Sequence, residues 1–245
     1  MNRRGASDSV ASRAGLRAGF LAASLLALPA CDDGGRTRAA GDDDGAVLVL
    51  DGMRITRADI AELEPYLRSV EPRAGRMLIA SKALAHLIPL ALARRGLAAR
   101  REILRERAEA LRRVVGNGGY PELVAKGRVA GGFRPRRPLT RNELPLPLAR
   151  WAFDEANVGR VSPVLETAQG FSLIATREIV RGVTRAGDTA DIFQVPFYTH
   201  PSKEFGAWLA SARAAIADKV ELVDPEYAPA LPRWLKIPTE KKRKP

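Results

Sequence analysis

ELPLPLARWAFDEANVGRVSPVLETAQGFSLIATREIV, residues 143–180, is the stretch whose reading decides the fold. Leu144, Leu148, Ala152 and Phe153 recur at helical spacing and predict a Pro-punctuated helix with one buried face, ended by Gly159. A β-rich run from Val161 to Thr167, a turn at Ala168, Gln169 and Gly170, and a second β-rich run from Phe171 to Arg177 follow it. Two such runs around a short Gly-containing turn predict an antiparallel hairpin. A helix laid against a hairpin makes the fold class α+β.

The 245 residues leave room for one or two domains with an ordinary core. The formal net charge is +12, yet the basic residues are interleaved with acids apart from a cluster near Arg134 and the tail KKRKP. Three Trp and four Tyr supply no aromatic stripe for stacking bases, so no nucleic-acid partner is expected. Two His and one Cys do not assemble a usual zinc set, so neither metal nor cofactor is expected. There is no GxxxxGK phosphate loop and no persuasive Ser-His-Asp order.

Residues 1–30 read as a targeting segment. Arg3, Arg4, Arg13 and Arg17 precede a short apolar run from Ala18 to Leu28, which is short for a bilayer span. The run ends in LPAC, which resembles the lipobox of bacterial lipoproteins. That resemblance implies cleavage between Ala30 and Cys31, lipidation of Cys31, and a protein exported and anchored in a membrane, facing the periplasm or the cell exterior. A plain secretory peptide with an incidental Cys is the alternative, although Cys31 is the only cysteine and has no disulfide partner within the chain. Residues 31–45 carry little apolar content and are read as a flexible tether.

Downstream, Val47 to Leu50, Asp51-Gly52 and Met53 to Ile55 give a hairpin signal, and Thr56 with Asp59 gives a capping box for a helix burying Ile60, Leu63 and Leu67. Arg76 to Arg95 predicts an apolar helix kinked at Pro89. Leu97 to Val115 predicts an amphipathic helix buried through Leu97, Leu104, Ala108, Leu111 and Val115, its charges forming a solvated face. Ala190 to Tyr198 reads as a strand with Phe193, Val195 and Phe197 on one face, and Pro196 places it at an edge or a strand end. Ser202 is the expected cap of a last helix whose stripe Phe205, Trp208, Leu209, Ala212 and Ile216 is a buried face.

The order AF-x5-G-x2-SPV-x2-T-x2-GF, from Ala152 to Phe171, resembles the ending of parvulin-type peptidyl-prolyl cis-trans isomerases, above all the secreted chaperone-isomerases of bacteria. LDGMRIT (50–56) is similar to the opening of the chaperone domain of SurA- and PrsA-like foldases, and Val220 to Pro225 with Tyr227 to the segment that returns to that domain. The resemblance implies a chaperone-like helical domain made by N-terminal (46–115) and C-terminal (201–231) segments around a divergent parvulin-like helix and antiparallel-sheet domain (116–200), with a basic tail at 232–245. An unrelated α+β domain with a helix packed on a hairpin is the competing reading.

The family's opening strand carries a His. AHLIP around His86 looks superficially like it, but the periodicity there is helical, which leaves that strand missing and Ala190 to Tyr198 to fill its place. Gly131 and Gly132 match a family loop whose acidic and apolar residues are replaced here by Phe133 and an Arg-Pro cluster, and the family's second His becomes Ser172. What the resemblance implies for the site is therefore Ser172 and Gln169 as the catalytic polar residues and Leu144, Leu148 and Phe153 as the proline-binding pocket. Two functions stay open: a weak isomerase acting on X-Pro bonds of exported polypeptides, or a non-catalytic tethered chaperone binding unfolded clients. An open pocket bounded by Leu144, Leu148 and Phe153 would favour the first, a filled one the second.

Replacing Cys31 with Ser is expected to leave an uncleaved, unlipidated precursor, because lipid attachment requires the thiol. Processing and membrane fractionation identical to the parent would contradict the lipobox reading.

Overall fold

Asp51 and Gly52 both take positive φ (+49° and +86°), the two-residue turn that matches the twist of a hairpin. The structure is a computed structural model that describes residues 45–132 and 134–235. The signal segment, the lipidation site Cys31, all of the tether but Gly45, and the tail from Lys236 lie outside the described residues.

The turn joins β1 (Ala46–Leu50) to β2 (Met53–Thr56). Thr56 then caps α1 (Arg57–Val70): its Oγ1 accepts from the Asp59 amide at 3.2 Å while Asp59 Oδ2 accepts from the Thr56 amide at 2.7 Å. After α2 (Arg76–Gly96), α3 (Ala98–Val115) and α4 (Tyr120–Val129) come two short strands, β3 (Arg134–Pro135) and β4 (Leu139–Thr140). The remainder is α5 (Leu146–Ala152), β5 (Leu165–Thr167), β6 (Gly170–Val180), β7 (Thr189–Tyr198), α6 (Ser202–Ile216) and β8 (Val220–Leu222). The chain is thus a mixture of helices and antiparallel sheets.

One sheet has the order β2-β1-β8, with Leu48 opposite Leu222, so segments far apart in sequence share a ladder. Its apolar side packs on α1, α2 and α6: Val47, Leu48 and Leu50 join Ile60, Leu63, Leu84, Ile88 and Ile216 in one buried cluster. Although α2 is long and apolar enough to suit a bilayer, it carries eight buried residues and is the centre of this core. It continues through Pro89, whose missing N–H removes one helical bond.

The second sheet has the order β3-β7-β6-β5, with β4 also pairing with β7. Phe171, Leu173 and Ala175 of β6 and Phe193, Val195 and Phe197 of β7 meet Leu104, Ala108, Leu111 and Leu123 of α3 and α4 on one face. Ile174, Ala190 and Ile192 meet Leu148, Ala149 and Ala152 of α5 on the other.

Three local expectations are corrected. The helix of the deciding stretch ends at Ala152, not at Gly159, because Asp154 Oδ1 accepts from the Ala156 amide (3.0 Å) and starts a new 3-10 turn, while Gly159 donates its N–H to the Thr176 carbonyl (2.8 Å). Pro196 stands near the end of β7, as expected, past the pairing of β3 with Phe193 and Gln194, while β6 lies along the other side of the strand. Arg101 is buried rather than solvated, since it occupies the stripe between Leu97 and Leu104 and donates to Glu166 (2.7 Å) and the Ala168 and Thr167 carbonyls (2.8 and 3.0 Å). In α6, Ile216 alone of the stripe is fully buried, because α6 lies on the outer side of α2. Ser202 is its first residue and makes no side-chain cap bond.

Truncation after Pro201 removes β8 from the β1 edge and α6 from α2 at once. An unpaired edge and an uncovered apolar helix face favour association. The truncated chain should aggregate in size-exclusion chromatography with light scattering, whereas a monomer that unfolds cooperatively would contradict this packing.

Candidate functional site

Alternation along β7 decides what lies on each side of the second sheet. With Phe193, Val195 and Phe197 committed to α3 and α4, the intervening Gln194, Pro196 and Tyr198 face the other way, together with Ser172 and Ile174 of β6. Ser172 is fully buried, and the Gln194 amide donates to Ser172 Oγ (3.0 Å) and to Tyr198 Oη (2.9 Å). Gln194 is itself 1 % exposed, and its Oε1 has no hydrogen-bond partner among the described residues. An unmatched buried acceptor costs about 1–3 kcal/mol, which marks this trio as a polar centre in an apolar layer.

Gln169 does not join it. From the β5–β6 turn its amide donates to the His200 carbonyl (3.2 Å) and Ser202 Oγ (3.3 Å), and its carbonyl accepts from the Thr199 amide (2.9 Å), tying the turn to the end of β7. The two polar residues read from the sequence are therefore separated in role: Ser172 belongs to a buried network and Gln169 to a latch.

Leu144, Leu148 and Phe153 are gathered in one place, but as core. Their exposures are 7 %, 0 % and 6 %, and Leu148 packs with Ile174 and Ile192. The Arg141 guanidinium lies over the Phe153 ring, 4.2 Å from its centroid, and pairs with buried Asp188 at 3.1 Å. Asp188 also accepts from Arg181 (2.8 Å) and the Gly182 amide (3.0 Å); burial alone would raise its carboxyl, but these donors hold it below the usual carboxylate range. The clefts do not bring the three together: Leu144 borders one of about 470 Å³, Phe153 another of about 650 Å³, and Leu148 neither.

Open space lies on the opposite side of α5. A cleft of about 570 Å³ runs between α1, α2, α5 and β5, lined by Leu63, Leu87, Leu90, Leu146, Trp151 and Leu165. Asp59, Glu62, Asp154 and Glu166 bring carboxylates to it, against the guanidiniums of Arg94 and Arg150. A neighbouring cleft of about 470 Å³ is lined by Tyr66, Lys82, Arg141, Leu144 and Leu146. His86, which is helical, lines both. Burial, and then the charge of Arg94, push its imidazole below the ordinary value, with Glu166 acting partly against them.

Glu166 is the clasp across this region. Arg94 reaches it from α2 (2.6 Å) and Arg101 from α3 (2.7 Å). Burial would raise the carboxyl, but these charged donors carry it below its usual range. Trp151 also lines the cleft, and its buried indole N–H has no acceptor among the described residues.

Sequence reading missed Gln194, Tyr198, Trp151 and the Glu166 clasp. The first two were implied by the alternation of β7, once that strand was placed beside β6. Arg101 lay on a countable stripe with Leu97 and Leu104. Trp151 gave no local signal, since the cleft joins residues as distant in sequence as Asp59 and Glu166.

Because Leu148 is wholly enclosed, Leu148→Ala should destabilise the protein by about 2–5 kcal/mol in denaturant unfolding, the usual cost of truncating a core leucine. A loss under 1 kcal/mol would mean that the side chain borders open space. Compared with protein-family models, with curated proteins and with solved structures, the chain matches none.

Proposed function

We propose that this chain is a folding factor of the parvulin-type foldase kind, tethered to a membrane through lipidated Cys31, that holds unfolded, proline-containing exported polypeptides without catalysing their isomerisation. The carrying observation is that Leu144, Leu148 and Phe153 are packed as core while the open apolar cleft lies on the other side of α5. A ring-binding pocket must be vacant to receive a ring, and Leu148, its central member, is wholly enclosed between α5 and the sheet. Descent from the family rests on the sequence resemblance of Ala152 to Phe171, which spans the end of α5 and the β5–β6 hairpin. In this reading β7 stands in for the opening strand, and the helical layer around the β2-β1-β8 sheet is the chaperone-like part.

A second reading, weak isomerase activity on X-Pro bonds, is favoured by one observation, the Ser172–Gln194–Tyr198 centre with its unmatched amide oxygen. Rotation about an X-Pro bond faces a barrier of about 18–20 kcal/mol, and polar groups that bind the twisted amide better than the planar one lower it. No covalent chemistry is needed, so the scarcity of nucleophiles does not count against it.

The test is paired. The full chain should suppress aggregation of an unfolded client at stoichiometric ratios and fail to accelerate cis-trans exchange in X-Pro peptides. Acceleration abolished by Gln194→Leu would overturn the holding reading in favour of the isomerase.

A further inference from the structure

The cleft between α1, α2, α5 and β5 differs in charge from the chain that forms it. At a net +12, an average patch of this protein should repel cations. This cleft instead carries four carboxylates against two guanidiniums; Arg94 pairs with Glu166 (2.6 Å) and Arg150 with Glu62 (3.5 Å), so Asp59 and Asp154 are the carboxylates in excess. Its floor is apolar, through Leu63, Leu87, Leu146 and Leu165.

We infer that this cleft is a peptide-binding site selective for short apolar segments flanked by Lys or Arg. The inference rests on the holding function proposed above and names its client class. Both components of such a segment have a counterpart: aliphatic or aromatic side chains on the leucine floor, and cationic flanks at Glu62 and Asp154. About 570 Å³ is within the range of sites that enclose a drug-sized body, so a few residues are held rather than a whole chain. Anionic lipid and acidic peptide meet the same carboxylates with the wrong sign.

The measurement is fluorescence anisotropy on the full chain in neutral-lipid nanodiscs, with two labelled peptides sharing a Leu/Phe/Ala core, one flanked by lysines and one by glutamates. At low salt the lysine-flanked peptide should bind on the order of tenfold more tightly, with the gap narrowing as salt screens the rim. Glu62 is 73 % exposed, so Glu62→Lys leaves the core untouched and should bring the two affinities together. Equal affinities in the parent, or a preference that survives Glu62→Lys, overturns the cleft assignment. If Leu87→Asp abolishes neither peptide binding nor suppression of client aggregation, the cleft assignment falls while the holding function stands. If the parent binds no peptide and suppresses no aggregation, both fall.

Discussion

The antiparallel pairing of β6 with β7 is the constraint on which the rest depends. It runs from Gly170 opposite Tyr198 to Val180 opposite Thr189 and separates two apolar layers. Gly170 sits at φ +147°, with the Phe197 carbonyl 2.1 Å from where a Cβ would stand, so a side chain there would force the strands apart. One residue of slip would turn Ser172 and Gln194 towards α3 and drive Phe171 and Phe193 under α5. A bulge between Thr176 and Glu178 resets the alternation, which lets Ile179 join Ala190 on the α5 side.

That register also explains how a polar centre and a closed pocket coexist. Ser172 and Gln194 lie on the face that α5 covers, and Thr176 Oγ1 donates to the Ala152 carbonyl (3.2 Å), fixing the end of α5 on the sheet. With α5 held down, its leucines have no freedom to admit a ligand between helix and strands. The outer side of α5 and the loop before it are left to meet α1 and α2, and the clefts form there. Arg94 and Arg101 converging on Glu166 then join the helical layer to β5 with charge-assisted bonds.

Much of the fold could be read locally. The Asp51-Gly52 turn, the Thr56–Asp59 capping box and the β5–β6 hairpin are short-range devices whose residues stand next to each other in sequence. The end of α5 was misread because Gly159 resembles a helix stop, whereas Asp154 had already begun another turn. Position in a sheet is not a local property: Pro196 is consistent with an edge or a strand end, and the ladders place β6 along one side of β7 and β3 and β4 against two residues each of the other. The site was less legible still. Apolar residues at helical spacing look alike whether they line a pocket or fill it; the covering of Phe153 by Arg141 and the packing of Leu148 on Ile174 separate the two. The outer cleft draws on α1, α2, α5 and β5, so no single window of sequence contained it.

The central claim is that a client engages the outer side of α5 and not the sheet face beneath it. Residue-resolved NMR titration of the full chain with an unfolded proline-containing peptide measures this directly. The account predicts chemical-shift changes at Leu87, Leu146 and Trp151, with Ser172, Gln194 and Tyr198 unmoved. Saturable changes centred on Ser172 and Gln194, with the cleft silent, would contradict it.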